Sequence, residues 1–339
     1  MQRIVVVGGG IAGLTLAAAL DPARFEVELV EAQPERVSGG AALGLWPSAR
    51  RALAGLGVLP ATGDGVAGTT VALHDLAGRR LASARGPDIA LVDRPALMAA
   101  LERAVPPTVR RRVAEVEDPS QLDADLVVGA DGVRSRVRGL VDASAADRVE
   151  TPYVALRGIL PSVAGGYGEY WGAGRLFGLA PMPDGRAYWF STHRSTLGPE
   201  PLPVADVLAE ARQRFDGAAS TIRDVLADPG EPVLATRLWV APPMTRYARG
   251  RYVVLGDAAH ASLPNLGRGA CDAILDAAAL ARTLDAGRSL ASWQARRLPP
   301  TQAARLAAGG LMRLALLDRG QRVRDGALAR LGALTSAGR

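Results

Sequence analysis

Apolar and polar positions follow two distinct textures along this chain. Residues 3–7 are a short β-branched run, followed by glycine-rich residues 8–13 and an alanine-rich segment with helical spacing at Ile11, Leu14 and Ala18. Residues 26–30 predict a second strand that ends at Glu31 and completes a βαβ unit. Helices are predicted over 47–56, closing at Gly57, and over 94–104, stopping before Pro106-Pro107; residues 124–130 read as a third strand. From about 152 to 240 the pattern becomes short alternating runs broken by glycine and proline. Here 175–180 and 186–191 flank the turn Pro183-Asp184-Gly185, which predicts a mostly antiparallel sheet. A buried-strand pattern returns at 251–256, with a helix from 267 to about 284, so the chain re-enters its first domain. Beyond Ser289, alanine, leucine and arginine predict two or three helices punctuated by Pro299-Pro300 and Gly309-Gly310.

Composition narrows the function classes. The formal charge is +6, yet no lysine occurs and the 40 basic residues are scattered arginines. Clusters such as Arg110-Arg111-Arg112 and Arg296-Arg297 are short, and aromatic residues are too sparse for stacking platforms, so no nucleic-acid partner is expected. The lone Cys271 excludes an internal disulfide and a thiolate metal cage. Residues 4–20 are apolar but lack a basic flank and are interrupted by glycines, unlike a secretory leader. No other run reaches the ~20 apolar residues of a membrane helix. A cytoplasmic protein with no membrane span is expected; oligomeric state stays open.

Gly8, Gly10 and Gly13 stand as G-G-G-I-A-G, with Ala12 inside the motif, between a strand and a helix. Absent β-carbons permit a tight turn, close approach to a pyrophosphate and packing of helix on sheet. The helix N-terminus then presents unpaired amides and a positive dipole end to phosphate oxygens. Glu31, followed by Ala32, ends the second strand, where its carboxylate can accept from an adenosine ribose. The turn alone does not separate FAD from NAD.

Two further segments decide that question. A-D-L-V-V-G-A-D-G-V-R-S-R-V-R at 124–138 and L-G-D-A-A-H-A-S-L-P-N-L-G-R-G-A-C at 255–271 resemble the group A flavoprotein monooxygenases. Gly44-Leu45-Trp46-Pro47 with Leu53 and Gly57, and the stretch from Trp171 to Trp189, extend the likeness across nearly the whole chain. The resemblance implies an α/β fold: a Rossmann-type FAD-binding domain, a mostly antiparallel β-sheet substrate domain and C-terminal helices. The expected division is 1–70, 91–150 and 243–288 for FAD, 71–90 and 151–242 for substrate, and 289–339 for the tail.

Within the third motif, Asp257 ends a buried strand, where its carboxylate can accept from a ribityl hydroxyl; a helix-initiating carboxylate is the other reading. Pro264, Gly267, Arg268, Gly269 and Ala270 line the loop and helix start that follow, near the flavin edge where negative charge develops on reduction. By resemblance, Asp131 and Gly132 lie near the pyrophosphate and contact nicotinamide, while Arg94 matches an arginine beside the flavin phosphates. His260 reads as a packed or hydrogen-bonding residue, Cys271 as a small buried one, and His74 and His193 offer no metal spacing.

Departures matter too. The family commonly has glutamine at Arg268, asparagine at Ser48 and glutamate at Leu275, and this chain is short between 105 and 124. Arg268 either meets the flavin's negative edge, meets an acidic substrate, or points outward. The resemblance implies reduction of FAD by NAD(P)H, then a C4a-hydroperoxide formed with O2 and oxygen transfer to a small aromatic substrate. The alternatives are a flavin dehydrogenase or reductase, or a non-catalytic redox protein. On the substrate side, Arg175 and Tyr188 are the catalytic candidates and Arg157 a weaker one, with Tyr188 and Phe190 on one sheet face and Trp189 on the other.

Overall fold

The computed structural model describes residues 1–35, 42–58, 70–85, 88–198 and 200–337. The predicted limits near 70 and 90 therefore fall partly on residues 59–69 and 86–87, outside the described residues. The β-branched opening forms strand Gln2–Val7, the centre of a six-stranded sheet. Phe25–Glu31 and Leu126–Gly129 flank it in parallel, Arg110–Val113 lies beyond the former, and Tyr252–Val254 with Ala248–Arg249 beyond the latter. Ile4, Val6, Val127, Val128, Val253 and Val254 are fully buried, as expected of a parallel sheet covered on both faces. Helices Ile11–Ala19 and Gly269–Asp285 pack on each other beside it.

The Arg110-Arg111-Arg112 run is an edge strand rather than a loose basic cluster. Its arginines meet the acids of the neighbouring strand: Arg112 Nε donates to Glu28 at 2.7 Å and Arg110 lies 4.0 Å from Glu26. Charged residues suit an exposed edge.

The second sheet has seven strands in the order Leu234–Val240, Val149–Leu160, Ala187–Arg194, Arg175–Pro181, Gly168–Gly172, Thr70–Asp75, Arg80–Arg85. Only the Gly168–Gly172 and Thr70–Asp75 pair is parallel. Two helices absent from the sequence reading, Val204–Arg214 and Ser220–Ala227, cover its outer face, burying Phe177, Trp189, Val207, Ala211 and Phe215 in one cluster. A two-stranded ribbon, Ala42–Leu45 with Ala90–Asp93, stands against the inner face, where Ala42 packs on Tyr188.

The tail corrects the expected punctuation. Helix Leu290–Ala315 runs through both Pro299-Pro300 and Gly309-Gly310. Proline removes amide donors and would break an isolated helix. Here tertiary anchors hold the two turns: Trp293 and Met312 are buried, and Thr301 donates to the Arg297 carbonyl and meets the Tyr247 hydroxyl at 2.7 Å. Helix Gln321–Ala337 follows.

Candidate active site

The glycine turn is built by contact rather than by flexibility alone. Gly8 has φ +107°, and a β-carbon there would stand 2.3 Å from the Ala130 carbonyl oxygen; one on Gly13 would stand 1.9 Å from that of Gly8. Gly10 faces open space, with nothing within 4 Å of a β-carbon position. Helix Ile11–Ala19 begins there without a side-chain cap or an acid in its first turn, and its first intrahelical bond runs from the Leu14 amide to Gly10. The earlier amides thus face the opening, an arrangement suited to an anion. Glu31 stands on the rim, accepting from the Gly9 amide at 2.6 Å and the Gln33 amide at 2.7 Å, with Ala32 beside it. Its carboxylate keeps lone pairs for a ribose.

The second motif meets the first at this point. The Asp131 amide lies against Gly8. One Asp131 oxygen accepts from the Arg136 amide at 2.8 Å, and the other is buried without a partner among the described residues. Burial pushes this carboxyl up against those hydrogen bonds. Behind it, the fully buried Arg138 donates to the carbonyls of Val133, Ala145, Ala146 and Ala258, joining the second motif to the third. Sequence reasoning passed over Arg138, because a lone arginine carries no mark of burial.

The third motif closes the cleft. Gly256, at φ +60°, leads into the short helix Asp257–His260, and a β-carbon on it would press to 3.1 Å from that of Ala12. Asp257 is the first residue of that helix and the acid of its first turn, as the helix-initiating reading expects. Its side chain stands open to solvent, yet protein walls it closely enough to raise the carboxyl, with His260 and Arg94 acting in the opposite sense. Arg94 opens helix Arg94–Ala104, so that helix presents a cation toward the same opening. Gly267 takes the left-handed conformation after the turn Pro264–Leu266, and Gly269, which opens the long helix with Ala270, lies near the Asp257 carboxylate.

Arg268 does not point freely outward. Its guanidinium pairs with Asp272 one turn on, at 2.9 Å, and lies 5.3 Å over the Trp46 ring. Arg297 from the tail bridges Asp272 and Asp276. Asp276 also accepts from the Gly256 amide at 3.0 Å and meets His260 Nε2 at 2.6 Å. Burial disfavours charge on this pair, but mutual attraction raises His260 and lowers Asp276. His260 is thus a hydrogen-bonding residue, as expected. Cys271 is buried, its thiol donating to the Gly44 carbonyl and its pKa raised by burial.

On the inner face of the second sheet, alternation places Tyr188 and Phe190 together and sends Trp189 to the outer face, where its indole donates to Pro229 at 2.9 Å. Arg157 pairs in register with Phe190 and donates to Thr236 at 3.1 Å. Burial raises the Tyr188 phenol, while Arg157 beside it opposes the rise. Gly178 completes this row: a β-carbon would collide with the Phe190 ring at 2.1 Å, so glycine admits the ring. Glu169 follows Gly178 in register, takes a hydrogen bond from the Trp171 indole at 2.8 Å and is raised by burial.

The structure does not bring Arg175 to this row. Arg175 pairs in register with His193 on the outer face, donates to the Ala173 carbonyl and lies 5.9 Å from the Phe215 ring centre. Strand pleating therefore separates it from Tyr188, which corrects its pairing with that tyrosine as a catalytic residue.

Comparison with known proteins matches this geometry. The profile of an NAD(P)-binding Rossmann-like domain matches residues 6–43, and that of an FAD binding domain residues 207–293. The chain is 33% identical to 3-amino-4-hydroxybenzoate 2-monooxygenase of Streptomyces cremeus, over 88% of this chain and 84% of that one. It belongs to the flavoprotein monooxygenase family. Another member, aurachin C monooxygenase/isomerase of Stigmatella aurantiaca, is 30% identical over 87% of this chain and 85% of its own. The fold of this flavoprotein monooxygenase superposes on Klebsiella pneumoniae HpxO complexed with FAD and uric acid with a TM-score of 0.82, at 23% identity, over 97% and 93% of the two chains.

The cofactor of the family is FAD, and the residues present fit it: open amides at a glycine turn, a rim carboxylate and a second carboxylate standing free at the foot of the cleft. Among the described residues no group of histidines, cysteines or acids can hold a metal ion. No described helix is long and apolar enough to cross a membrane.

Proposed function

We propose that this flavoprotein monooxygenase uses NAD(P)H and O2 to hydroxylate or epoxidise an aromatic or polycyclic small molecule. Bound FAD supplies the electron transfer and the activation of oxygen. The chain's own residues do the rest. Gly8, Gly10, Ala12 and Gly13 seat the pyrophosphate, Glu31 with Ala32 the adenosine ribose, and Asp257 the ribityl chain. Arg94 and Asp131 border the phosphates, and Pro264, Gly267, Arg268, Gly269 and Ala270 frame the ring edge. The ribbon and inner sheet face exclude water from the reacting side.

Tyr188 and Arg157 hold an acidic or phenolic substrate there, the guanidinium favouring a phenolate or carboxylate and the phenol donating a hydrogen bond. Glu169, kept toward its neutral form, offers a further donor. Residues 1–70, 91–150 and 243–288 form the cofactor domain in this reading and 71–90 with 151–242 the substrate domain, a division supported by the membership of the two sheets.

One observation carries the proposal: Gly8 against Ala130 and Gly256 against Ala12 draw three motifs, far apart in sequence, into a single cleft. The test is anaerobic reduction of the FAD-loaded protein by NADH or NADPH, followed by an oxygen pulse with and without aromatic acids, polycyclic phenols or isoprenoids. A transient absorbance unlike oxidised or reduced flavin, with substrate-stimulated NAD(P)H oxidation, is expected. Direct reoxidation with no product identifies a dehydrogenase or reductase instead, and failure of both nucleotides to reduce the flavin a non-catalytic protein.

A further inference from the structure

One row of residues crosses the inner face of the seven-stranded sheet with different chemistry at its two ends. Register carries it from Arg157 through Phe190 and Gly178 to Glu169, one residue from each of four adjacent strands. Sequence neighbours fix the face: Trp189 and Tyr170, each next to a member of the row, lie in the outer cluster with Phe177. At about 4.8 Å between strands, the ends of the row stand roughly 14 Å apart. On one flank Ala42, Met182 and Tyr188 pack together, and on the other Trp171 packs with Met312 and Leu316 of the tail. Arg157, Phe190 and Glu169 are only half-buried, so the row keeps surface open to solvent between two filled regions.

Arg157 spends one nitrogen on the Thr236 hydroxyl at 3.1 Å and stands beside Tyr188, so this end offers positive charge and a phenol. In mid-row the Phe190 ring lies over Gly178, where a β-carbon would come within 2.1 Å of it, and makes a flat aromatic floor. At the far end one oxygen of Glu169 accepts from the Trp171 indole at 2.8 Å, and the other has no hydrogen bond among the described residues. Burial raises this carboxyl, against the Trp171 bond. A carboxyl that keeps its proton is a donor. Two fused rings with a polar group at each end, and a hydrogen bond of about 2.8 Å beyond each, span roughly the length of the row. A single ring reaches one end only.

We propose that Glu169 is a specificity-determining residue: it selects two-ring aromatic substrates that place an acidic hydroxyl at Arg157 and a carbonyl at the far end, to which the Glu169 carboxyl donates. The inference rests on the reading that the inner face holds the substrate of oxygen transfer. The fused rings lie on Phe190, and a substrate without the carbonyl leaves the Glu169 donor unmet.

The test follows ligand binding to FAD-loaded protein by the change in flavin absorbance. It compares 6-acetyl-2-naphthol with 6-isopropyl-2-naphthol, in which a methyl group replaces the carbonyl oxygen. The parent is expected to bind the acetyl compound about tenfold more tightly. Glu169→Ala should reduce that preference to about twofold, whereas Glu169→Gln, which keeps an N–H donor, should retain it. Equal affinities in the parent overturn the proposal without any variant, which keeps the test valid if Glu169→Ala folds poorly. A preference that survives in Glu169→Ala, or is lost in Glu169→Gln, also overturns it. NAD(P)H oxidation and product formation are measured with the same two compounds. The expected preference without any oxygenated product supports the role of Glu169 and overturns the oxygen-transfer reading. Equal affinities with product from both compounds do the reverse.

Discussion

The two faces of the seven-stranded sheet are made by the same strands yet carry different chemistry. Outward, Phe177, Trp189 and Phe215 fill an interior that also buries His193, with Glu210 and Arg175 half-buried at its margin. Inward, Arg157, Tyr188 and Phe190 share the face against which the ribbon stands, with Ala42 packed on Tyr188. Neighbours in sequence thus serve opposite sides: Trp189 holds the sheet to its helices, while Tyr188 faces the ribbon, where the proposed substrate would sit. The outer face should govern stability and the inner face turnover; three experiments probe that division and a fourth the adjoining cleft.

The largest effect is expected at Trp189, fully buried and stacked on Phe177 with ring centres 6.2 Å apart. Trp189→Ala should cost about 3–5 kcal/mol in denaturant unfolding, whereas Tyr188→Phe should stay within about 1 kcal/mol and lower kcat/KM instead. Equal losses of stability would erase the distinction between the faces.

Acid should find the outer face next. Burial depresses His193 from 6.5 to about 4, with Glu210 opposing the shift and Arg214 and Arg237 reinforcing it. The unfolded chain therefore binds more protons between those values, and stability falls as pH drops from 6.5 to 4, by about 3 kcal/mol for this one group. His193→Gln should flatten that part of the profile. Parallel urea midpoints for parent and variant across this window would show that His193 titrates normally.

Asp257→Ala should weaken FAD binding by about tenfold or more, read by equilibrium dialysis of flavin, because a ribityl hydroxyl would lose a charged acceptor. A variant that purifies fully yellow with parental affinity removes Asp257 from the cofactor site. The smallest contrast pairs two arginines: Arg157→Met should raise KM for an acidic aromatic substrate severalfold, and Arg175→Met should leave it unchanged. A matching rise for Arg175 would mean that the register separating them does not govern substrate binding.

The cofactor cleft was legible because backbone contacts demand particular residues. Gly8 and Gly13 stand where any β-carbon collides, so the constraint is written as glycine, and the flanking strand and helix carry their own periodicity. Tyr188, Trp189 and Phe190 could be sorted by pleat alone. Arg175 could not, since its face depends on pairing with His193 eighteen positions away, a register no local pattern records. The helix Val204–Arg214 did leave a signal, the spacing of Val207, Leu208 and Ala211, which the surrounding glycines and prolines masked. Arg138, Asp276 and the prolines of the tail are decided by partners distant in sequence, where composition is silent.

Asp276 gives the tail a mechanical part in the enzyme. One carboxylate receives the amide that turns the chain into Asp257, the ring of His260 and the guanidinium of Arg297. Ending the chain before that arginine would take a shared cation from Asp272 and Asp276, leaving Asp276 to His260 and the Gly256 amide, and slacken the bend at Gly256. The last helices are therefore a keel for the flavin's seat, and seat and keel should melt in a single cooperative step.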